Sequence, residues 1–233
     1  MSSARAIESF PNAAAACDAA AAAIVERLRP AGARRLMVTG GSGPRPVYDR
    51  LSAVDLDWSR VTVALSDDRF VGRDAPDSNE SMVRERLLRG YAAAATLVPL
   101  RGSGRSLDGD ARAAEPAIAP LAPFDATLLG MGPDGHIASL YATNADAARW
   151  LDPDCDRWVV GVRSAGWTPY VPRLSLTARA LFAARLIVLL VGGEAKRTVI
   201  EQILADPVFN PPAAALIRQD RSPVRILWSP DPA

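Results

Sequence analysis

Leu186-Ile187-Val188-Leu189-Leu190-Val191 is an unbroken apolar run, closed by Gly192-Gly193 and followed by a helix-forming stretch from Glu194 to Leu204. Six apolar residues ending in a glycine pair read as a strand buried on both faces, and the segment after them as a helix that covers it. The same unit recurs upstream. Leu36-Met37-Val38-Thr39 runs into Gly40-Gly41-Ser42-Gly43 and a helix from about Pro46, and Phe124 to Leu129 runs into Gly130-Met131-Gly132-Pro133-Asp134-Gly135-His136. Val61 to Leu65 ends in Ser66-Asp67-Asp68-Arg69, and Val224 to Trp228 is a last strand. Strands alternating with helices in this way predict an α/β fold: one domain over residues 1–233 with a mainly parallel sheet covered by helices.

The remaining signals are weaker. Asn12 is placed to cap a helix through the alanines to about Leu28, stopped by Arg29-Pro30, and Asp77-Ser78-Asn79-Glu80 reads as a cap before a helix over Met82 to Leu88. Leu97 to Leu100, Trp158 to Val162 and Leu174 to Leu176 are lesser strand candidates. Arg101 to Asp110 is rich in Gly and Ser and reads as a loop, followed by helical residues around Pro116.

Composition removes several function classes. The chain has 233 residues, 49 % of them hydrophobic and 23 % charged, with a formal net charge of +1. That balance excludes disorder or a coiled coil as the main architecture and leaves no global field for nucleic acid or an acidic membrane. No apolar window approaches the ~18 residues of a membrane span. The alanine run near the N-terminus is flanked by Glu8 and Asp18 and has no Leu-rich centre, unlike a secretory signal. Cys17 and Cys155 match no metal spacing and read as two reduced thiols, which suggests a cytoplasmic protein. A small molecule, rather than nucleic acid or a membrane, is the expected partner, with the chain a monomer or weak homodimer. Of 27 basic residues 26 are Arg, and Lys196 is the single Lys; His136 is the single His. A compact ammonium and a group titrating near neutrality are not replaceable by Arg, so both residues stand out.

In parallel α/β sheets ligands bind beyond the carboxyl ends of the strands. Four such ends carry unusual residues here: Gly40 to Gly43, Asp67 to Arg69, Gly130 to His136, and Gly192 to Lys196. The glycine turn, with Gly41 and the hydroxyl of Ser42, can direct N–H groups at an anion in front of a helix N-terminus. It is neither a Walker loop nor a dinucleotide loop, so a monophosphate ester is the fitting ligand, and Lys196 could reach the same phosphate. His136 lies two residues from Asp134, which could orient the imidazole for general base work. Arg69, beside Asp67 and Asp68, could stabilise a developing oxyanion. With one His and no clustered Cys, a metal site is not expected.

Taken together, Thr39-Gly40-Gly41-Ser42-Gly43-Pro44, Ser66-Asp67-Asp68-Arg69-Phe70-Val71, Asp77-Ser78-Asn79, Leu129 to Leu140, Pro172-Arg173-Leu174-Ser175-Leu176-Thr177 and Gly193-Glu194-Ala195-Lys196 resemble the 6-phosphogluconolactonase family, in order and over roughly residues 10 to 228. The resemblance implies a three-layer α/β/α fold, shared with glucosamine-6-phosphate deaminases. It also implies hydrolysis of 6-phosphoglucono-δ-lactone in the oxidative pentose phosphate pathway without metal or organic cofactor. It assigns catalysis to His136, Asp134, Arg69 and Asp67, and phosphate binding to Gly41, Ser42, Arg173 and Lys196. Gly43 stands where the family usually carries threonine, which makes Arg45 the expected substitute donor. Asp68 stands where the family usually carries glutamate. The deaminase-type relatives carry a glutamate five residues after the motif histidine, where this chain has Tyr141. A sugar-phosphate sensor would need the glycine turn but not Asp134-Gly135-His136, and no helix-turn-helix accompanies it.

Overall fold

A computed structural model describes residues 6–102, 105–163 and 170–231, and among them ten strands are interspersed with eight α-helices. The strands are β1 (Ile7–Ser9), β2 (Arg34–Val38), β3 (Val61–Leu65), β4 (Asp67–Arg69), β5 (Thr96–Val98), β6 (Ala126–Leu129), β7 (Val159–Val162), β8 (Arg173–Leu176), β9 (Ile187–Gly192) and β10 (Val224–Ser229). The helices are α1 (Ala13–Leu28), α2 (Arg45–Ser52), α3 (Asn79–Arg86), α4 (Leu107–Ile118), α5 (Ala147–Trp150), α6 (Ala178–Leu181), α7 (Glu194–Ala205) and α8 (Pro212–Arg218).

Seven strands form one sheet in the order β1-β10-β9-β6-β2-β3-β5, with every neighbouring pair parallel. All residues of β6 and β9 are buried, as their continuous apolar runs require of strands covered on both faces. From β2 the chain steps outward through β3 to β5, then returns to the other side of β2 as β6 and steps the opposite way through β9 to β10. The winding therefore reverses between β2 and β6. The crevice at such a reversal, beyond the carboxyl ends of the strands, is the natural ligand site of an open α/β sheet.

The helix starts follow from their caps. The side-chain oxygen of Asn12 accepts from the Ala15 amide at 2.9 Å, and the small residues Ala16, Cys17, Ala20 and Ala23 recur at helical spacing and bury α1 closely against the sheet. Ser78 caps α3 through the Ser81 amide. No helix among the described residues is long and apolar enough to cross a membrane.

Three expectations change. Asp67–Arg69 is not merely the polar end of β3 but a strand of a second, antiparallel sheet ordered β4-β8-β7. Past Ser66 the chain leaves the parallel sheet to pair with β8, and the Leu176 amide donates to the Ser66 carbonyl at 2.8 Å where the two sheets meet. Trp158 to Val162 and Leu174 to Leu176 thus belong to this small sheet and not to the parallel one. The Gly/Ser stretch is a loop only before Leu107, since Ser106 caps α4 through the Gly109 amide at 3.2 Å; residues 103 and 104 lie outside the described residues. Strand β1 gives no sequence signal because it has three residues and only Ile7 is apolar. It pairs with β10, and Glu8 there accepts two hydrogen bonds from the Arg225 guanidinium at 2.7 and 2.5 Å.

Candidate active site

A cavity of about 420 Å³ opens at the reversal between β2 and β6. Thr39 to Pro44 from the β2–α2 turn, Gly130 to Pro133 and His136 from the β6 loop, Asp67 and Arg69 from β4, Arg173 from β8, Asn79 and Lys196 all line it. The glycine turn and the imidazole therefore face one space.

The turn after β2 depends on its glycines. Gly41 has φ +96°, a left-handed conformation that costs an L side chain ~1–2 kcal/mol. Gly40 is required for another reason: a Cβ there would lie 2.0 Å from Asn79 Oδ1. Among the hydrogen bonds of the described residues, none is donated by the amides of Gly41, Ser42 or Gly43, so three successive N–H groups remain for a ligand. The base of the turn is held by Tyr48 on α2, whose hydroxyl accepts from the Thr39 amide at 3.0 Å and donates to the Thr39 carbonyl at 2.5 Å. Full burial pushes the Tyr48 phenol far above its ordinary pKa, which keeps it a donor. Lys196 sits in the first turn of α7, where partial burial lowers its ammonium pKa. Arg45, in contrast, is exposed at the first position of α2 and does not line the cavity.

In the β6 loop, the Gly132 amide donates to the His136 carbonyl at 2.9 Å, and the Gly135 amide donates to the Gly132 carbonyl at 3.0 Å. This tight turn brings His136 Nδ1 to 2.6 Å from Asp134 Oδ1. An acceptor at that distance fixes the proton on Nδ1 and leaves Nε2 the basic nitrogen. Burial opposes ionisation of Asp134, but its hydrogen bond to His136 and the imidazole charge outweigh it and hold the carboxyl below its ordinary pKa. Gly132 is the residue that admits this pair, since a Cβ there would lie 2.1 Å from His136 Nδ1 and 2.6 Å from Asp134 Oδ1.

The two adjacent aspartates separate cleanly. Asp68, 1 % exposed, accepts from the Asn79 amide at 2.6 Å and the Arg69 amide at 2.8 Å, with Ser78 Oγ at 3.3 Å and the Glu80 amide at 3.4 Å. It anchors the start of α3, and burial raises its pKa to about 6 against those hydrogen bonds. Asp67 lines the cavity instead, with Ser66 Oγ donating to Oδ1 at 2.9 Å and Ser139 Oγ to Oδ2 at 2.6 Å. Ser139 reaches it from a two-residue turn bracketed by the Ile137–Leu140 bridge, in which Ala138 takes φ +48°. Arg69 donates to the Asp77 carbonyl at 2.6 Å, and the Arg173 guanidinium, buried beside it, lies over the Tyr141 ring at 5.9 Å.

Sequence reasoning gave Asn79 as part of a helix cap and of the Asp77-Ser78-Asn79 string, with no role of its own. It is a buried cavity residue, and its Nδ2 donates to the Asp67 carbonyl at 2.9 Å. Ser139, inside the Leu129 to Leu140 string, and Tyr48, on the helix after the glycine turn, draw no role from the sequence, because only the tertiary structure brings a serine to Asp67 and a tyrosine to Thr39. Among the described residues no three His, Cys, Asp or Glu side chains gather where they could hold a metal ion.

A family model described as glucosamine-6-phosphate isomerases/6-phosphogluconolactonase matches residues 11–228. A 6-phosphogluconolactonase of Caulobacter vibrioides is 46 % identical over 216 residues, covering 91 % of this chain and 92 % of that protein. One of Mesorhizobium japonicum is 36 % identical, covering 95 % and 94 %. The crystal structure of a 6-phosphogluconolactonase from Shewanella baltica superposes with a TM-score of 0.88 at 32 % identity, covering 97 % of each chain. Similarity running almost end to end, in sequence and in fold alike, leaves one assignment: the chain belongs to the glucosamine-6-phosphate isomerase/6-phosphogluconolactonase family.

Proposed function

We propose that this chain hydrolyses 6-phosphoglucono-δ-lactone to 6-phosphogluconate, the step of the oxidative pentose phosphate pathway for which its relatives are named. The observation that carries this reading is the one cavity lined both by His136, which Asp134 holds from behind, and by the glycine turn with its three undonated amides. An imidazole base and an anion cradle in one space suit a phosphorylated ester. The deaminase alternative lacks its glutamate: Tyr141 stands there, and burial pushes its phenol away from any acid–base role near neutrality.

The amides of Gly41 to Gly43, with Ser42 and Lys196, hold the phosphate and so fix the lactone carbonyl beside His136. His136 Nε2 takes a proton from water as the water oxygen attacks C1, and Asp134 stabilises the imidazolium that forms. Arg69 stabilises the oxyanion of the tetrahedral intermediate, and because Arg173 faces Arg69 across the β4–β8 pair we assign it to the oxyanion as well, rather than to the phosphate as the resemblance implies. That intermediate collapses by breaking the bond from C1 to the ring oxygen, which receives the proton from His136. The product carboxylic acid then ionises. Asp67 shapes the wall through its serine partners. No cofactor enters these steps. The free, buried thiols of Cys17 and Cys155 fit a reducing compartment such as the cytoplasm.

A time course of acid release from enzymatically generated lactone, corrected for spontaneous opening, tests the reaction. Acceleration that vanishes in His136→Ala supports it. Ammonia release from glucosamine 6-phosphate, with no lactone opening, would overturn it.

A further inference from the structure

The ring of Tyr141 lies 4.6 Å from the His136 ring, centroid to centroid, with the planes tilted by 44°. Arg173 sits over the same Tyr141 ring at 5.9 Å. Tyr141 is 1 % exposed and does not line the cavity, whereas both of its neighbours do. Its hydroxyl is buried and makes no hydrogen bond among the described residues. The backbone is pinned too: the Tyr141 amide donates to Asn144 Oδ1 at 3.0 Å, and the Asn144 amide donates to the Tyr141 carbonyl at 3.1 Å. A rigid aromatic plate therefore stands behind the imidazole and beneath a guanidinium.

Asp134 holds one edge of the imidazole through Nδ1 at 2.6 Å, and the tyrosine ring packed beside it restrains rocking about that contact. We infer that Tyr141 is a positioning residue: its ring holds the His136 imidazole and the Arg173 guanidinium at fixed places on the cavity wall, and its hydroxyl takes no part. This deepens the lactonase reading and rests on it for the kinetic arm only.

His136 is the single histidine of the chain, so its ring nitrogens give one set of NMR signals. Long-range 1H–15N spectra of the wild type are expected to show one dominant tautomer, protonated at Nδ1, with ring protons shifted upfield by the tyrosine ring. Tyr141→Phe should preserve this signature and leave kcat within about twofold. Tyr141→Leu, or Tyr141→Met if the leucine variant does not fold, should average the two nitrogens. It should also lower kcat by roughly ten- to a hundredfold with KM changed less than threefold, as expected when a catalytic group loses its geometry. An aliphatic variant that keeps both the tautomer signature and kcat would overturn the inference, as would one that loses kcat with the signature unchanged. A loss in Tyr141→Phe equal to that in Tyr141→Leu would move the role to the hydroxyl and overturn it as well. If no variant, wild type included, opens the lactone, the lactonase reading fails while the NMR arm still decides whether Tyr141 holds the imidazole.

Discussion

Arg69 and Arg173 stand directly opposite each other across the antiparallel β4–β8 pair, and both line the cavity. Like charges placed directly across a strand pair repel, and an anionic ligand beside them relieves that repulsion. A charge-assisted hydrogen bond is worth about 1.5–3 kcal/mol. Arg173→Ala is therefore expected to weaken 6-phosphogluconate binding by roughly ten- to a hundredfold in isothermal titration calorimetry. Arg69→Ala should weaken it by a similar factor, and the double variant by less than the product, because the two share one ligand. Unchanged affinity in both single variants would remove the pair from the binding site.

The proposed general base, His136, faces the cavity and is backed by Asp134. General base catalysis contributes ~10²–10⁴-fold, and His136→Ala is expected to lower kcat within that range with KM little changed. Asp134→Asn keeps a hydrogen-bond acceptor against Nδ1 but no negative charge to stabilise the imidazolium. A smaller loss, about tenfold or more in kcat, is expected from initial rates of acid release. Wild-type kcat in Asp134→Asn would show that orientation without charge suffices.

How much of this was legible beforehand depended on whether the signal was local. The glycine turn and the His136 loop were readable because each is a strand end, a turn and a polar residue within a few positions. The parallel sheet was readable because β6 and β9 are buried on both faces and so are apolar throughout. The division of labour between Asp67 and Asp68 was not readable. It depends on α3 presenting its first amides to one carboxylate and on a turn some seventy residues away presenting Ser139 to the other. Arg45 lies close to the turn in sequence, yet at the start of α2 it is exposed and does not line the cavity. Strand β4 was hidden because three charged residues make a strand only where β8 supplies the pairing.

Gly132 offers a test of the histidine pair that leaves both its members in place. Its φ is ordinary, so alanine there adds no backbone strain, but the new Cβ would fall 2.1 Å from His136 Nδ1. Gly132→Ala is expected to displace the imidazole and lower kcat nearly as far as His136→Ala does, with a thermal midpoint within a few degrees of wild type. Gly41→Ala inverts the logic. It meets open space but forces an alanine to φ +96°, so it should distort the anion turn, raise KM and leave kcat closer to wild type. Identical kinetic effects of the two variants would mean that the cavity does not divide into a phosphate end and a reacting end.

Asp68 gives the fold a pH dependence of unusual sign. Its pKa rises from 3.8 to about 6 on folding, because burial disfavours the carboxylate more than the Asn79 and Arg69 amides favour it. Between those values the folded chain binds more protons than the unfolded chain, so this residue's contribution to stability is full below pH ~4 and falls as pH rises through about 6. A shift of about two units corresponds to roughly 3 kcal/mol. Asp68→Asn keeps an oxygen for the two short hydrogen bonds from Asn79 and Arg69, and its amide replaces the oxygen with the two long contacts. It cannot ionise, so the decline should disappear in the variant. Urea unfolding from pH 4 to pH 7 is expected to give a wild type that loses stability relative to Asp68→Asn across that interval, with the variant the more stable of the two at pH 7. A constant difference between the two proteins at every pH would show that Asp68 has the same pKa folded and unfolded, and that its carboxylate is held at the start of α3 without cost.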